Sequence, residues 1–219
     1  NANDENFKEI FAGADNEVVT FRDKVYVAAT TFHVSGTGTV NFMGDLNGPL
    51  VYDNDGTVNV SDGININGSV ATDANNQGTL NFVGSATTQA PIGGDGNGED
   101  GNRLKAVNFH AATSDSTVSP VSVSGESINI GHDVYAVTTT IGNGSAATAA
   151  TITASGLYLG DNLTLTGTTV LNTAGSVSST DAISPVNFSH RKNLDGTLTN
   201  IGAVTQSNTG DGVTGAITT

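Results

Sequence analysis

Gly38-Thr39-Val40-Asn41-Phe42 returns as Gly56-Thr57-Val58-Asn59-Val60, and again as Gly78-Thr79-Leu80-Asn81-Phe82. Each string carries an apolar–polar–apolar triplet, so in an extended strand Val40 and Phe42 share one side and Asn41 takes the other. Looser copies follow at Lys105-Ala106-Val107-Asn108-Phe109, Ser127-Ile128-Asn129-Ile130, Asn162-Leu163-Thr164-Leu165 and Pro185-Val186-Asn187-Phe188. Their first apolar residues fall at 40, 58, 80, 107, 128, 163 and 186. A recurring strand with linkers of variable length and a period of roughly twenty is the signature of stacked solenoid coils.

The fold class this predicts is all-β: a right-handed parallel β-helix, with valine–phenylalanine doublets stacked into apolar ladders and asparagines into an amide ladder. Coils would lie ~4.8 Å apart. A β-sandwich or jelly-roll is the alternative, because its strands alternate in the same way. Return of the whole string favours the solenoid. Residues 1–26 read as a separate charged lead-in, holding nine of the 28 charged residues. Phe7, Ile10 and Phe11 share one helical face there, so a short helix or coil is expected before a strand at 17–21. Residues 27–219 then form one repeat-built domain. Its repeat weakens after residue 140, where Ala146-Ala147-Thr148-Ala149-Ala150 offers little to bury.

Gly, Ser, Thr and Asn supply 101 of the 219 residues. Such a bias could mean disorder, but the β-branched residues recur in short alternating runs, which points to many strands and tight turns. Seven Lys and Arg stand against 21 Asp and Glu, a net charge of −14. Phosphate backbones and anionic lipid repel such a chain, which argues against nucleic acid and membrane surfaces as partners. No cysteine is present, so disulfides and thiolate chemistry are excluded. Trp is absent and Tyr numbers four, so aromatic platforms for sugars or bases are scarce. No apolar run reaches the ~20 residues of a membrane span. The opening Asn1-Ala2-Asn3-Asp4 reads as that of a processed or excised product, and the strand-like close at 213–219 as the end of a fragment or of a protein that pairs there with something else.

The sharpest local feature is Gly93-Gly94-Asp95-Gly96-Asn97-Gly98-Glu99-Asp100. Alternating oxygen ligands at Asp95, Asn97 and Glu99, with Asp100, suit Ca²⁺ on a flexible loop. The EF-hand pattern fails, because the twelfth position from Asp95 is Ala106. A solvated loop between strands is the preferred reading of the stretch. Asp53 and Asp55, in Asp53-Asn54-Asp55-Gly56, are a second candidate Ca²⁺ pair, although Asp-Gly is first a tight-turn signal. The histidines at 33, 110, 132 and 190 show no zinc spacing. No Gly-x-Ser-x-Gly elbow marks a nucleophile. Non-enzymatic function is the expectation, with a polysaccharide-active β-helix enzyme as the outlying alternative. The basic cluster His190-Arg191-Lys192 reads as an exposed turn.

The Gly-Thr-Val-Asn-Phe strings, the Asn/Gly/Thr bias and the missing cysteines resemble the passenger regions of bacterial autotransporters, nearest the rickettsial outer membrane protein A and B group of surface antigens. Asp195-Gly196-Thr197-Leu198-Thr199-Asn200-Ile201 keeps the same cadence. The resemblance implies an extracellular protein displayed on the bacterial cell surface, an adhesive stalk or coat meeting a host or cell-surface receptor. It transfers no functional residue. A different expectation from the same residues is a self-assembling surface-layer (S-layer) or extracellular filament subunit with a β-sandwich body, joined to its neighbours by strand exchange.

Overall fold

The structure is a computed structural model. It describes residues 7–84, 86–94, 102–109, 127–130, 132 and 134–141, and the backbone of strands between 149 and 218. Side chains are described through residue 140, apart from 7, 28–30, 86 and 127–130.

Valine and phenylalanine doublets stack as the sequence implies. The strands Val18–Phe21, Thr39–Phe42, Thr57–Val60, Gln77–Phe82 and Leu104–Phe109 pair in order, all parallel. Val40 faces Val58, which faces Leu80, which faces Val107; Phe42, Val60, Phe82 and Phe109 form the second column. The sheet continues through Val134–Ile141, Asn162–Thr166, Val186–Ser189 and Val204–Gln206. Val40, Phe42, Val58, Val60, Leu80, Val107 and Phe109 are wholly buried. Burial at this level contributes on the order of 1.5–3 kcal/mol per large side chain.

Two further sheets complete each turn. In chain order the sheet just described is the second of the three. The first runs from Phe7–Ala12 to residues 31–34, Leu50–Tyr52 and Val70–Thr72, then through single bridges at Ile92 to Val134. The third side starts with Val25 and Tyr26 against Leu46–Asn47, and Leu46 bridges Ile66. It is taken up by Ala86–Thr87, Ser127–Ile130, Ala149–Ala154, Thr168–Ile183 and Lys192–Ile201. The chain visits the three sides in turn, and every strand pair among the described residues is parallel. This is a parallel β-helix, and the antiparallel sandwich is thereby excluded. After Ile183 the described strands belong to the second and third sheets only.

The motif's glycine has a structural reason. It stands at the corner entering the second sheet, against the previous coil. A Cβ on Gly56 would lie 2.5 Å from Val34 Cγ1, and one on Gly78 would lie 2.5 Å from Cγ of the buried Tyr52 ring. Gly78 also has φ +80°, a left-handed conformation that costs a side-chain-bearing residue energy.

Two expectations need correction. Phe7–Ala12 is a strand, and no helix occurs among the described residues. Ile10 packs against the core while its neighbour Phe11 is 60% exposed. Adjacent apolar residues on opposite faces are a strand's geometry, and pairing with 31–34 supplies hydrogen bonds that a single helical turn could not equal. The copy at Ser127–Ile130 belongs to the third sheet. The rung that follows Val107 is Thr139, in a strand with no asparagine.

Candidate functional site

The asparagine of each repeat ties its coil to the one before. Asn59 Nδ2 donates to Asn41 Oδ1, Asn81 Nδ2 to Asn59 Oδ1 and Asn108 Nδ2 to Asn81 Oδ1, each at 2.8 Å. Asn41 Nδ2 closes the ladder on Thr20 Oγ1 at 3.3 Å. Asn41 is fully buried and Asn59 nearly so. An unpartnered buried amide would cost about 1–3 kcal/mol, and here each amide meets the next.

The corners follow the same rule. Asp15 Oδ1 accepts from both the backbone N–H and the hydroxyl of Thr37, at 2.9 Å each. Those two hydrogen bonds, backbone first, hold the Asp15 carboxyl below its ordinary pKa. Asp45 Oδ1 accepts from the N–H of Asn65, and Asn65 Oδ1 accepts from the N–H of Thr87. Asn75 Oδ1 takes the N–H of Arg103. Lys24 pairs with Asp45 at 3.1 Å, and that hydrogen bond raises the ammonium pKa.

Of the sequence-derived Ca²⁺ ligands, Asp53 and Asp55 lie in one such corner. Asp53 Oδ1 meets His33 Nδ1 at 2.7 Å, and the His33 ring stacks on Phe11 with centroids 4.6 Å apart. Asp55 takes Lys105 Nζ at 2.6 Å and the N–H of Gly78 at 3.3 Å. Both carboxylates thus have protein partners. No group of three acidic, His or Cys side chains able to hold a metal gathers among the described residues. Asp95, Asn97, Glu99 and Asp100 lie outside the described residues, as do His110, His190 and Arg191. His132 is exposed.

Sequence reasoning missed the first coil as a surface. A cavity of about 600 Å³ opens there, lined by Glu9, Ile10, Phe21, Arg22, Lys24 and Tyr26 among others. Among the described residues the exposed large apolar side chains are Phe11, Val18 and Tyr26, one on each side of this coil. Its strands Phe7–Ala12 and Val18–Phe21 each pair on one side only among the described residues. The signal was present as apolar residues of both parities within a charged stretch, and it was legible only once the strands were placed. Chemically, such an end offers backbone hydrogen-bond groups and apolar area to another β-structure. No family model, no curated protein and no solved structure matches the chain.

Proposed function

We propose that this chain is a non-enzymatic structural segment of a bacterial cell-surface protein, a passenger-like rod that spaces or displays loops outside the cell. The observation that carries this reading is how the polar side chains are used: the asparagine ladder and the corner carboxylates bond coil to coil. An architecture whose neighbours alone hold each repeat gains length by repetition and tolerates long insertions between strands. The resemblance to autotransporter passengers supports export and display.

The test is made on intact cells producing the full parent protein. Protease added outside should remove the epitopes of this chain while a cytoplasmic marker survives. Retention of those epitopes until lysis overturns the reading. Purified material should appear as a short rod of about 40 Å, given nine rungs in the second sheet at ~4.8 Å each.

A second reading, self-association as a filament or layer subunit, is favoured by Phe11, Val18 and Tyr26 standing exposed on the three sides of one coil. Replacing all three with serine should lower the sedimentation coefficient of concentrated protein. An unchanged, monomeric coefficient in both forms removes that reading.

A further inference from the structure

The turn from the third side to the first repeats one dipeptide in successive coils: Leu46-Asn47-Gly48-Pro49-Leu50, then Ile66-Asn67-Gly68-Ser69-Val70. The two asparagines stack, and Asn67 Nδ2 donates to Asn47 Oδ1 at 2.9 Å. Asn-Gly is the sequence in which a backbone nitrogen most readily reaches the preceding side-chain carbonyl, since glycine has no Cβ in the way. Chemically the two sites are twins. Their surroundings differ.

Asn47 belongs to the strand Leu46–Asn47, faces Tyr26 in register and is half-buried. Its Oδ1 is held by the coil above, and the backbone of Gly48 is closed over by Gly68: a Cβ on Gly68 would collide with the Gly48 carbonyl and with Pro49. Asn67 lies outside any strand and is exposed. Gly68 N–H finds no acceptor among the described residues. A void of about 10 Å³, lined by Ile66, Gly68, Val70 and Thr88 among others, adjoins that turn.

We infer that Asn67 is a site of spontaneous deamidation in the folded chain, and that the structure protects Asn47. The Gly68 nitrogen attacks Asn67 Cγ, its proton leaves with the side-chain nitrogen as ammonia, and a five-membered succinimide closes. Water then opens either imide carbonyl, giving aspartate or isoaspartate and no change of oxidation state. The product carboxylate faces Asn47 Oδ1, where a donor stood, and the corner clasp is lost unless Asn47 turns its amide. The isoaspartate form also adds a main-chain atom between the buried Ile66 and Val70, whose register with Leu46 and Leu50 is fixed.

The test uses the 219-residue chain itself, incubated folded at mildly alkaline pH and sampled by peptide mapping with isoaspartyl methyltransferase labelling. The peptide with Asn67 should gain one dalton and the isoaspartate label several-fold faster than the peptide with Asn47. In denaturant the two rates should converge, which assigns the difference to the fold. An Asn47 rate equal to or above that of Asn67 in the folded chain overturns the inference, as does an Asn67 that stays intact while both sites react in denaturant.

Discussion

The rungs from Thr39–Phe42 to Leu104–Phe109 and the rung at Val134–Ile141 share one backbone and differ in what fills it. In the first group valine, leucine and phenylalanine occupy both core columns and asparagine the ladder. In the later rung Ala136 follows Leu104, Thr139 follows Val107 and Thr140 follows Asn108. Pairing continues in register across that change, through Asn162–Thr166 and beyond. Backbone hydrogen bonds therefore tolerate a loss of side-chain complementarity that the core does not replace. Thr139 is 3% exposed, a hydroxyl in a column of methyl groups. The early coils should hold most of the stability.

The strongest way to break this contrast is Phe42→Ala. Phe42 lies between Phe21, stacked at 5.6 Å, and Phe32, edge-on at 5.1 Å. Truncation should cost about 3–5 kcal/mol, because the surrounding coils cannot collapse into the space. Thr139→Val is the converse test, and should leave stability unchanged or raise it by up to ~1 kcal/mol. Denaturant titration of both variants decides it: an equal loss in each would mean the two regions share the load evenly.

Next in size is the ladder. Asn59→Ala removes two hydrogen bonds, one to Asn41 Oδ1 and one from Asn81 Nδ2, so the loss should be roughly 2–3 kcal/mol. Asn108→Thr makes the last ladder residue resemble the later rung and breaks a single bond to Asn81, for a loss of ~1 kcal/mol. A twofold ratio between the two would show that the ladder acts one bond at a time and gains nothing from its length, and a larger ratio that it does gain. At the corners, Gly78→Ala meets both φ +80° and the Tyr52 ring, whereas Gly63→Ala meets φ +71° and open space. About 2–3 kcal/mol is expected for the first and ~1 kcal/mol for the second. Thermal melts that put the two together would remove the packing role assigned to the motif's glycine.

The repeat was legible because one side chain pattern must satisfy two neighbours at once: in the next coil Val40 meets Val58, Asn41 meets Asn59 and Phe42 meets the apolar Val60. Ser127-Ile128-Asn129-Ile130 defeated that reading since apolar–Asn–apolar suits the third sheet as well, and spacing alone does not say which side a triplet lies on. Thr138–Thr140 was unreadable as a rung because its ladder residues had changed type. Phe7, Ile10 and Phe11 fit both periods, and only a partner strand could decide between them. The carboxylates of Asp53 and Asp55 looked free in sequence. Their partners His33 and Lys105 arrive from 20 and 50 residues away, distances no local pattern encodes.

The smallest effect concerns acid. The ladder amides do not titrate, whereas Asp15 does, and its folded pKa lies below the ordinary 3.8 because Thr37 donates twice to the charged form. A depressed carboxylate pKa contributes stability that is present above the unfolded value and disappears as pH falls through the folded one. Asp15→Asn should therefore lower the melting temperature slightly at neutral pH, and the gap from the parent chain should close as the pH falls below 3.8 and through the lower folded value. The carboxylate is exposed, so solvent and salt screen most of its advantage. Far-UV circular dichroism across the same range should show the stack persisting after the gap has closed, since amide-to-amide bonds carry no protons to lose. If instead the β signal vanished together with the Asp15 advantage, the corner carboxylates and not the buried ladder would be what joins the early coils, and the contrast between the two regions would have to be redrawn around charge.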